Sequence, residues 1–168
     1  VLDAMKLTGC ENIVFTSTST VYGDAEKIPT PETADLNPIS AYGTSKLDAE
    51  KLIEKYCKEN NFRGVSYRFA NCVGPRSNHG VTFDFVNKLR KDNNNLEILG
   101  DGKQKKSYFH VEDCISGILN MAPGELCEKG EMVALNVGSK DAIDVITLAD
   151  QVCKAMKLDS VEYSFTGG

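Results

Sequence analysis

Apolar and polar residues follow one another along this chain in two rhythms, short β-branched runs and longer stretches carrying one apolar stripe. Ile13-Val14-Phe15-Thr16-Ser17 is a short apolar run after a turn at Gly9, which suits a buried strand of a parallel sheet. Residues 65–70, 96–99 and 133–137 read as further strands, and 108–111 as a strand or strand-to-helix junction. Ser40 is placed to cap a helix over 41–60. Its inward stripe is expected to be Ala49, Leu52, Ile53 and Tyr56, with Asp48, Lys51, Glu54 and Lys58 on the wet side. A shorter helix is expected over 82–90 with Phe85, Val86 and Leu89 inward, and another over 112–121 with Ile115, Ile118 and Leu119 on one side. The first seven residues are helix-like, and Thr147 with Asp150 reads as the capping box of a last helix. Pro29, Pro31 and Pro38 make 23–39 an irregular loop, and 100–107 is a polar one. Strands separated by amphipathic helices predict an α/β sheet with crossover connections.

The 168 residues, 41% hydrophobic and 26% charged, suffice for a real core. A net charge of −5 with both signs interspersed gives no basic nucleic-acid footprint, apart from a local patch at Lys103, Lys105 and Lys106. No apolar stretch approaches the ~18 residues of a membrane span, and the start is not that of a signal peptide. Six scattered cysteines without C-x-x-C, and only two histidines, predict reduced thiols in the cytoplasm and no metal site. A first residue other than Met and a Gly167-Gly168 end read as a fragment.

Candidate chemistry centres on Tyr42-Gly43-Thr44-Ser45-Lys46. Tyr42 and Lys46 are four apart near a predicted helix start, so both project from one face. A free phenol, with a pKa of about 10, is a poor base at neutral pH. A nearby ammonium favours the phenolate, and lowering the pKa by ~3 units takes about 4 kcal/mol. Such a base can take a proton from a sugar hydroxyl while hydride leaves the carbon. Spacing alone says little: with six tyrosines and lysine at roughly one position in eleven, about half a match arises by chance. Upstream, however, five consecutive hydroxyl residues, Thr16 to Thr20, leave the end of a buried strand, where ligands of open α/β sheets bind.

Thr18-Ser19-Thr20-Val21-Tyr22-Gly23, the Tyr42–Lys46 run, Arg68-Phe69-Ala70-Asn71-Cys72-Val73-Gly74-Pro75-Arg76, and Gly100-Asp101-Gly102 leading into Ser107-Tyr108-Phe109-His110-Val111 follow in order. Together they resemble the extended short-chain dehydrogenase/reductase family, most closely its UDP-glucose 4-epimerase branch, over essentially the whole chain. The resemblance implies half of a family member, with the second half of a Rossmann-like parallel sheet and a small interleaved α/β substrate-binding domain. Residues 1–74 and 108–122 would be the remnant of the NAD-binding domain. Residues 75–107 and 123–168 would be the truncated substrate domain.

It further implies that Thr18 hydrogen-bonds the reacting C4 oxygen, Tyr42 is the base, and Lys46 holds the nicotinamide ribose. Ala70 would meet the nicotinamide end of NAD through its backbone. Thr20, Asn71, Val81, Thr82, Glu97, Ile98, Leu99 and Lys106 would face a nucleotide sugar, with Asn71 and Lys106 at the diphosphate and 97–99 at the uracil. Lys106 stands where many epimerases carry Arg, and an ammonium is a point charge without Arg's bidentate fork. Sugar dehydratases of the family carry Asp-Glu at the positions of Ser19 and Thr20, and decarboxylases a Glu at the second. Their absence favours removal and return of hydride, hence a 4-epimerase acting on a UDP-hexose and dimeric at full length. Other epimerases, dehydratases or reductases of the family, and a non-catalytic nucleotide- or RNA-binding member, are the alternatives. With no Gly-rich phosphate loop among these residues, the chain alone is expected to bind NAD poorly and to be inactive.

Overall fold

The computed structural model describes residues 1–121 and 123–167; Ala122 and Gly168, at the ends of two expected domain ranges, lie outside the described residues. In chain order the elements begin with α1 (Leu2–Thr8), β1 (Asn12–Thr18), a 3-10 turn (Ser19–Tyr22), α2 (Ala41–Asn60), β2 (Arg63–Phe69) and β3 (Asn71–Val73). There follow α3 (Val81–Lys91), β4 (Asn95–Ile98), β5 (Lys105–His110), α4 (Val111–Leu119) and α5 (Pro123–Leu126). The last are β6 (Met132–Val137), β7 (Ala142–Asp144), α6 (Val145–Ala155) and β8 (Glu162–Phe165). The chain is α/β, as expected, and divides into two compact units.

The first unit, Val1–Ala70 with Glu112–Gly138, holds the parallel sheet β1-β2-β6. Asn12 to Thr18 run in register with Arg63 to Phe69, and Gly64 to Phe69 with Met132 to Val137. The central strand is covered on both faces, so its side chains alternate between two cores. Val65 and Tyr67 pack with Cys127, Ile118 and Leu126 on one side. On the other, Gly64, Ser66 and Arg68 face α2. A Cβ on Gly64 would lie 3.0 Å from Cys57 Sγ, so glycine here lets the helix approach the sheet. Met5, Ile53, Cys57 and Phe62 form the core on that side. Burying each such side chain contributes roughly 1.5–3 kcal/mol.

The second unit, Asn71–Val111 with the residues from Ser139 onward, pairs β3 and β5 in parallel, β5 and β7 antiparallel, and β4 and β8 in parallel. Phe85 and Leu89 of α3, Leu96 and Ile98 of β4, and Ala149 and Val152 of α6 form its core.

Four expectations are corrected. Residues 123–138 belong with the first unit, because β6 pairs with β2, and 71–74 and 108–111 with the second, because β3 pairs with β5. The inward stripe of α2 is Gly43, Leu47, Glu50, Ile53 and Cys57, while Leu52 is 56% exposed. Asp144, not Thr147, caps α6: its Oδ1 accepts the Thr147 N–H at 2.7 Å, and Asp150 instead accepts from the Tyr163 hydroxyl. The polar loop after Gly100 ends at Gln104, because Lys105 and Lys106 pair with Asp144 and Ile143 across β5 and β7.

Candidate active site

Thr18 ends β1 and caps the 3-10 turn that follows. Its backbone is extended (φ −150, ψ 148) and its side chain buried, as a residue linking a strand to a turn demands. Thr18 Oγ1 accepts from Thr20 N–H at 3.3 Å and from the Thr20 hydroxyl at 3.2 Å. Thr20 itself is exposed.

The Tyr42 and Lys46 side chains come from the first turns of α2. Ser40 Oγ accepts the Gly43 N–H at 3.1 Å, so the expected cap fixes where that helix begins. Tyr42 is 56% exposed, which leaves the phenol open to a ligand. The Lys46 Nζ donates to the Thr16 carbonyl at 2.8 Å and lies 5.9 Å from the Tyr42 ring centroid. It also sits 4.9 Å over the Phe15 ring, so the Lys46 Nζ is held toward the carboxyl end of β1. Gly43 stands between the two residues for a steric reason: a Cβ there would be 2.8 Å from the Thr20 carbonyl oxygen. Helix α2 therefore rests directly on the turn that carries Thr18 and Thr20. Ala70, which follows β2, donates its N–H to the Val137 carbonyl at 2.9 Å.

Beneath these groups lies a charge pair that the sequence pattern did not disclose. Arg68 of β2 and Glu50 of α2 are both buried, with Arg68 Nη2 2.7 Å from Glu50 Oε2. Ser66 Oγ donates to the same carboxylate at 2.9 Å. Arg68 Nη1 donates to the Tyr22 hydroxyl at 2.8 Å, and that hydroxyl donates to Asn136 Oδ1 at 2.8 Å. The network thus ties α2, β2, β6 and the residue closing the 3-10 turn into one support. Burial works to raise the Glu50 pKa, but Arg68, with Ser17 and Ser66, outweighs it and holds the carboxyl below the usual range. Two signals mark the pair in sequence: an Arg inside the run Val65-Ser66-Tyr67-Arg68-Phe69, and a Glu on the Gly43, Leu47, Cys57 face of α2.

The remaining sequence-predicted residues lie in the second unit. Asn71, opposite Tyr108 in the β3–β5 ladder, donates from Nδ2 to the Ser107 carbonyl at 3.0 Å, next to exposed Lys106. Val81 and Thr82 open α3, and the buried Thr82 hydroxyl has no protein partner. Glu97 is tied to α3 by Lys88, which donates to its carbonyl at 3.1 Å and lies 3.4 Å from its carboxylate. The Ile98 side chain is fully buried in the core, leaving only its backbone for a ligand, whereas Leu99 is 69% exposed. Among the described residues no group of three or more His, Cys, Asp or Glu could hold a metal ion, and no helix is long and apolar enough to cross a membrane.

A family model described as the NAD dependent epimerase/dehydratase family matches residues 1–138. An uncharacterized UDP-glucose epimerase of Bacillus subtilis is 31% identical over 151 residues, covering 90% of this chain and 46% of the relative. UDP-glucuronic acid decarboxylase 4 of Arabidopsis thaliana is 34% identical over 148 residues, covering 83% of this chain and 32% of the relative. A crystal structure of UDP-galactose 4-epimerase matches at 38% identity and a TM-score of 0.85, covering 99% of this chain and 54% of that one. The chain spans about half the length of the UDP-glucose epimerase relative it matches, and the relatives are named for more than one reaction on nucleotide sugars.

Proposed function

The chain belongs to the NAD dependent epimerase/dehydratase family, and within it we propose a nucleotide-sugar 4-epimerase of the UDP-glucose/UDP-galactose type. The observation that carries this reading is what stands around Thr18. A buried hydroxyl, an open phenol on α2 and an anchored ammonium belong to one sheet end, and the positions that follow Thr18 are Ser19 and Thr20. Expelling water from C6 or assisting loss of carbon dioxide calls for a carboxylic acid or carboxylate beside the sugar. The nearest inward carboxylate of α2, Glu50, is buried and committed to Arg68. Proton movement at a single hydroxyl is the chemistry these side chains support.

The residues present fit the nicotinamide end of NAD. Lys46, Tyr42 and the backbone of Ala70 would hold that end, whereas β1 leads into a 3-10 turn and a proline-containing segment rather than a Gly-rich turn opening a helix. The chemistry NAD supplies when bound is reversible hydride exchange at C4 without net consumption. Tyr42 takes the proton of the 4-hydroxyl and later returns it. Thr18 donates a hydrogen bond to the same oxygen. Lys46, fixed by the Thr16 carbonyl, stands beside the phenol, where it would hold the nicotinamide ribose. In the second unit Asn71 and Lys106 would meet the diphosphate, the backbone at Val81 and Thr82 the substrate, and residues 97–99 the uracil.

Pairing of two copies belongs to the same reading. Ala49, Leu52 and Tyr56 of α2 line an open groove of about 610 Å³ together with Leu2, Val14 and Phe15. A cytoplasmic setting accords with six free thiols. The test is product analysis on a full-length protein carrying this chain, given NAD and UDP-glucose. UDP-galactose should form with no accumulation of NADH; a dehydrated, decarboxylated or reduced product in its place refutes the assignment.

A further inference from the structure

We propose that Thr20 is a positioning residue that acts through Thr18. By filling the acceptor side of the Thr18 hydroxyl, it leaves the Thr18 proton for the C4 oxygen of the sugar. The inference rests on the 4-epimerase reading of Thr18 and deepens it.

A threonine hydroxyl has one proton and two lone pairs. Both of Thr18's lone pairs are engaged by one neighbour, through the Thr20 N–H at 3.3 Å and the Thr20 hydroxyl at 3.2 Å. The Thr18 side chain is 8% exposed, so bulk water contributes little to satisfying it. Its role as the cap of the 3-10 turn fixes the rotamer that brings both donors onto Oγ1. With its acceptor capacity filled in this way, the hydroxyl has only donation left, and among the described residues it donates to no protein group. A hydroxyl that could accept as well as donate would spend part of its time turned the wrong way for an oxygen that gains negative charge. The Thr20 hydroxyl removes that alternative, and preorganised donors cost no reorganisation as the charge develops.

Thr20 is exposed, so its replacement does not open the core. The turn itself is retained in such variants, because the Thr20 N–H that binds Thr18 belongs to the main chain. The test is a double-mutant cycle of Thr18→Ala and Thr20→Val in a full-length protein carrying this chain, with Thr20→Ser as the conservative variant. Loss of one hydrogen bond predicts that Thr20→Val lowers kcat by roughly three- to tenfold with KM little changed. Thr20→Ser should restore most of the rate, and Thr20→Val should have no further effect once Thr18 is alanine. Equal slowing by Thr20→Val in both backgrounds, or an effect confined to KM, overturns the proposal in favour of direct contact with substrate. An unchanged or faster Thr20→Val enzyme overturns it as well, because the proton would then run from Thr18 to Thr20. If Thr18→Ala alone leaves kcat intact, the reading of Thr18 falls, and that outcome is visible separately in the single variant.

Discussion

Gly43 lies so close to Thr20 that a Cβ built on it would stand 2.8 Å from the Thr20 carbonyl oxygen. This contact joins the helix carrying Tyr42 and Lys46 to the turn carrying Thr18. Alanine inside a helix is ordinarily better than glycine by about 1 kcal/mol. Here overpacking against backbone should win, at roughly 1–3 kcal/mol. Gly43→Ala is expected to be less stable by denaturant melting, and slower in turnover by more than tenfold because a small misplacement of catalytic groups is amplified. A stabilised variant with full activity would show that α2 has room to spare.

The buried Glu50–Arg68 pair supports the same helix from below. Glu50→Ala leaves a guanidinium buried without its partner and should lose about 3–5 kcal/mol. Replacing both residues by apolar ones of similar volume should lose much less. The pH dependence has a definite sign. Because the folded state holds Glu50 below its ordinary value of 4.5, its stabilisation is fully present above that pH and disappears as pH falls below it. Glu50→Gln, which does not titrate, should therefore have a flatter stability profile below about pH 4.5. An unchanged acid slope in urea melts would argue that other carboxylates carry the acid response.

In the second unit Gly102 has φ 73 and would place a Cβ 2.7 Å from Ile146 Cγ1. Strain in the left-handed region and overpacking act in the same direction, so Gly102→Ala should lose about 2 kcal/mol or more. Gly100, with φ 77 and open space around it, should suffer only the conformational part, about 1 kcal/mol. Paired thermal melts of the two variants decide this, and equal losses would refute the packing argument.

How far these relationships are legible in the sequence differs from residue to residue. Helix α2 is legible because Ser40 is a clean cap and the pattern is long; its inward face is not, because Gly43 and Glu50 do not look apolar. Strands β3 and β7 have three residues each, too few for a period, and exist because β5 pairs with both. The start of β5 was hidden because Lys105 and Lys106 are exposed and polar. Thr18, Tyr42 and Lys46 are marked as candidates by the order of four motifs, since spacing alone does not single them out. The contacts that organise them, Lys46 to the Thr16 carbonyl, Thr20 to Thr18 and Arg68 to Glu50, join residues whose pairing follows from tertiary structure.

The most direct test of the proposed chemistry is Tyr42→Phe in a full-length protein carrying this chain, followed by conversion of UDP-glucose to UDP-galactose and by NAD binding. Tyr42 is exposed, so the change should leave folding nearly unchanged, and it should weaken NAD binding by no more than one hydrogen bond, about 0.5–1.5 kcal/mol. Losing the general base should lower kcat by about 10²–10⁴-fold. Turnover at the rate of the unaltered protein would contradict the assignment of Tyr42 as the base.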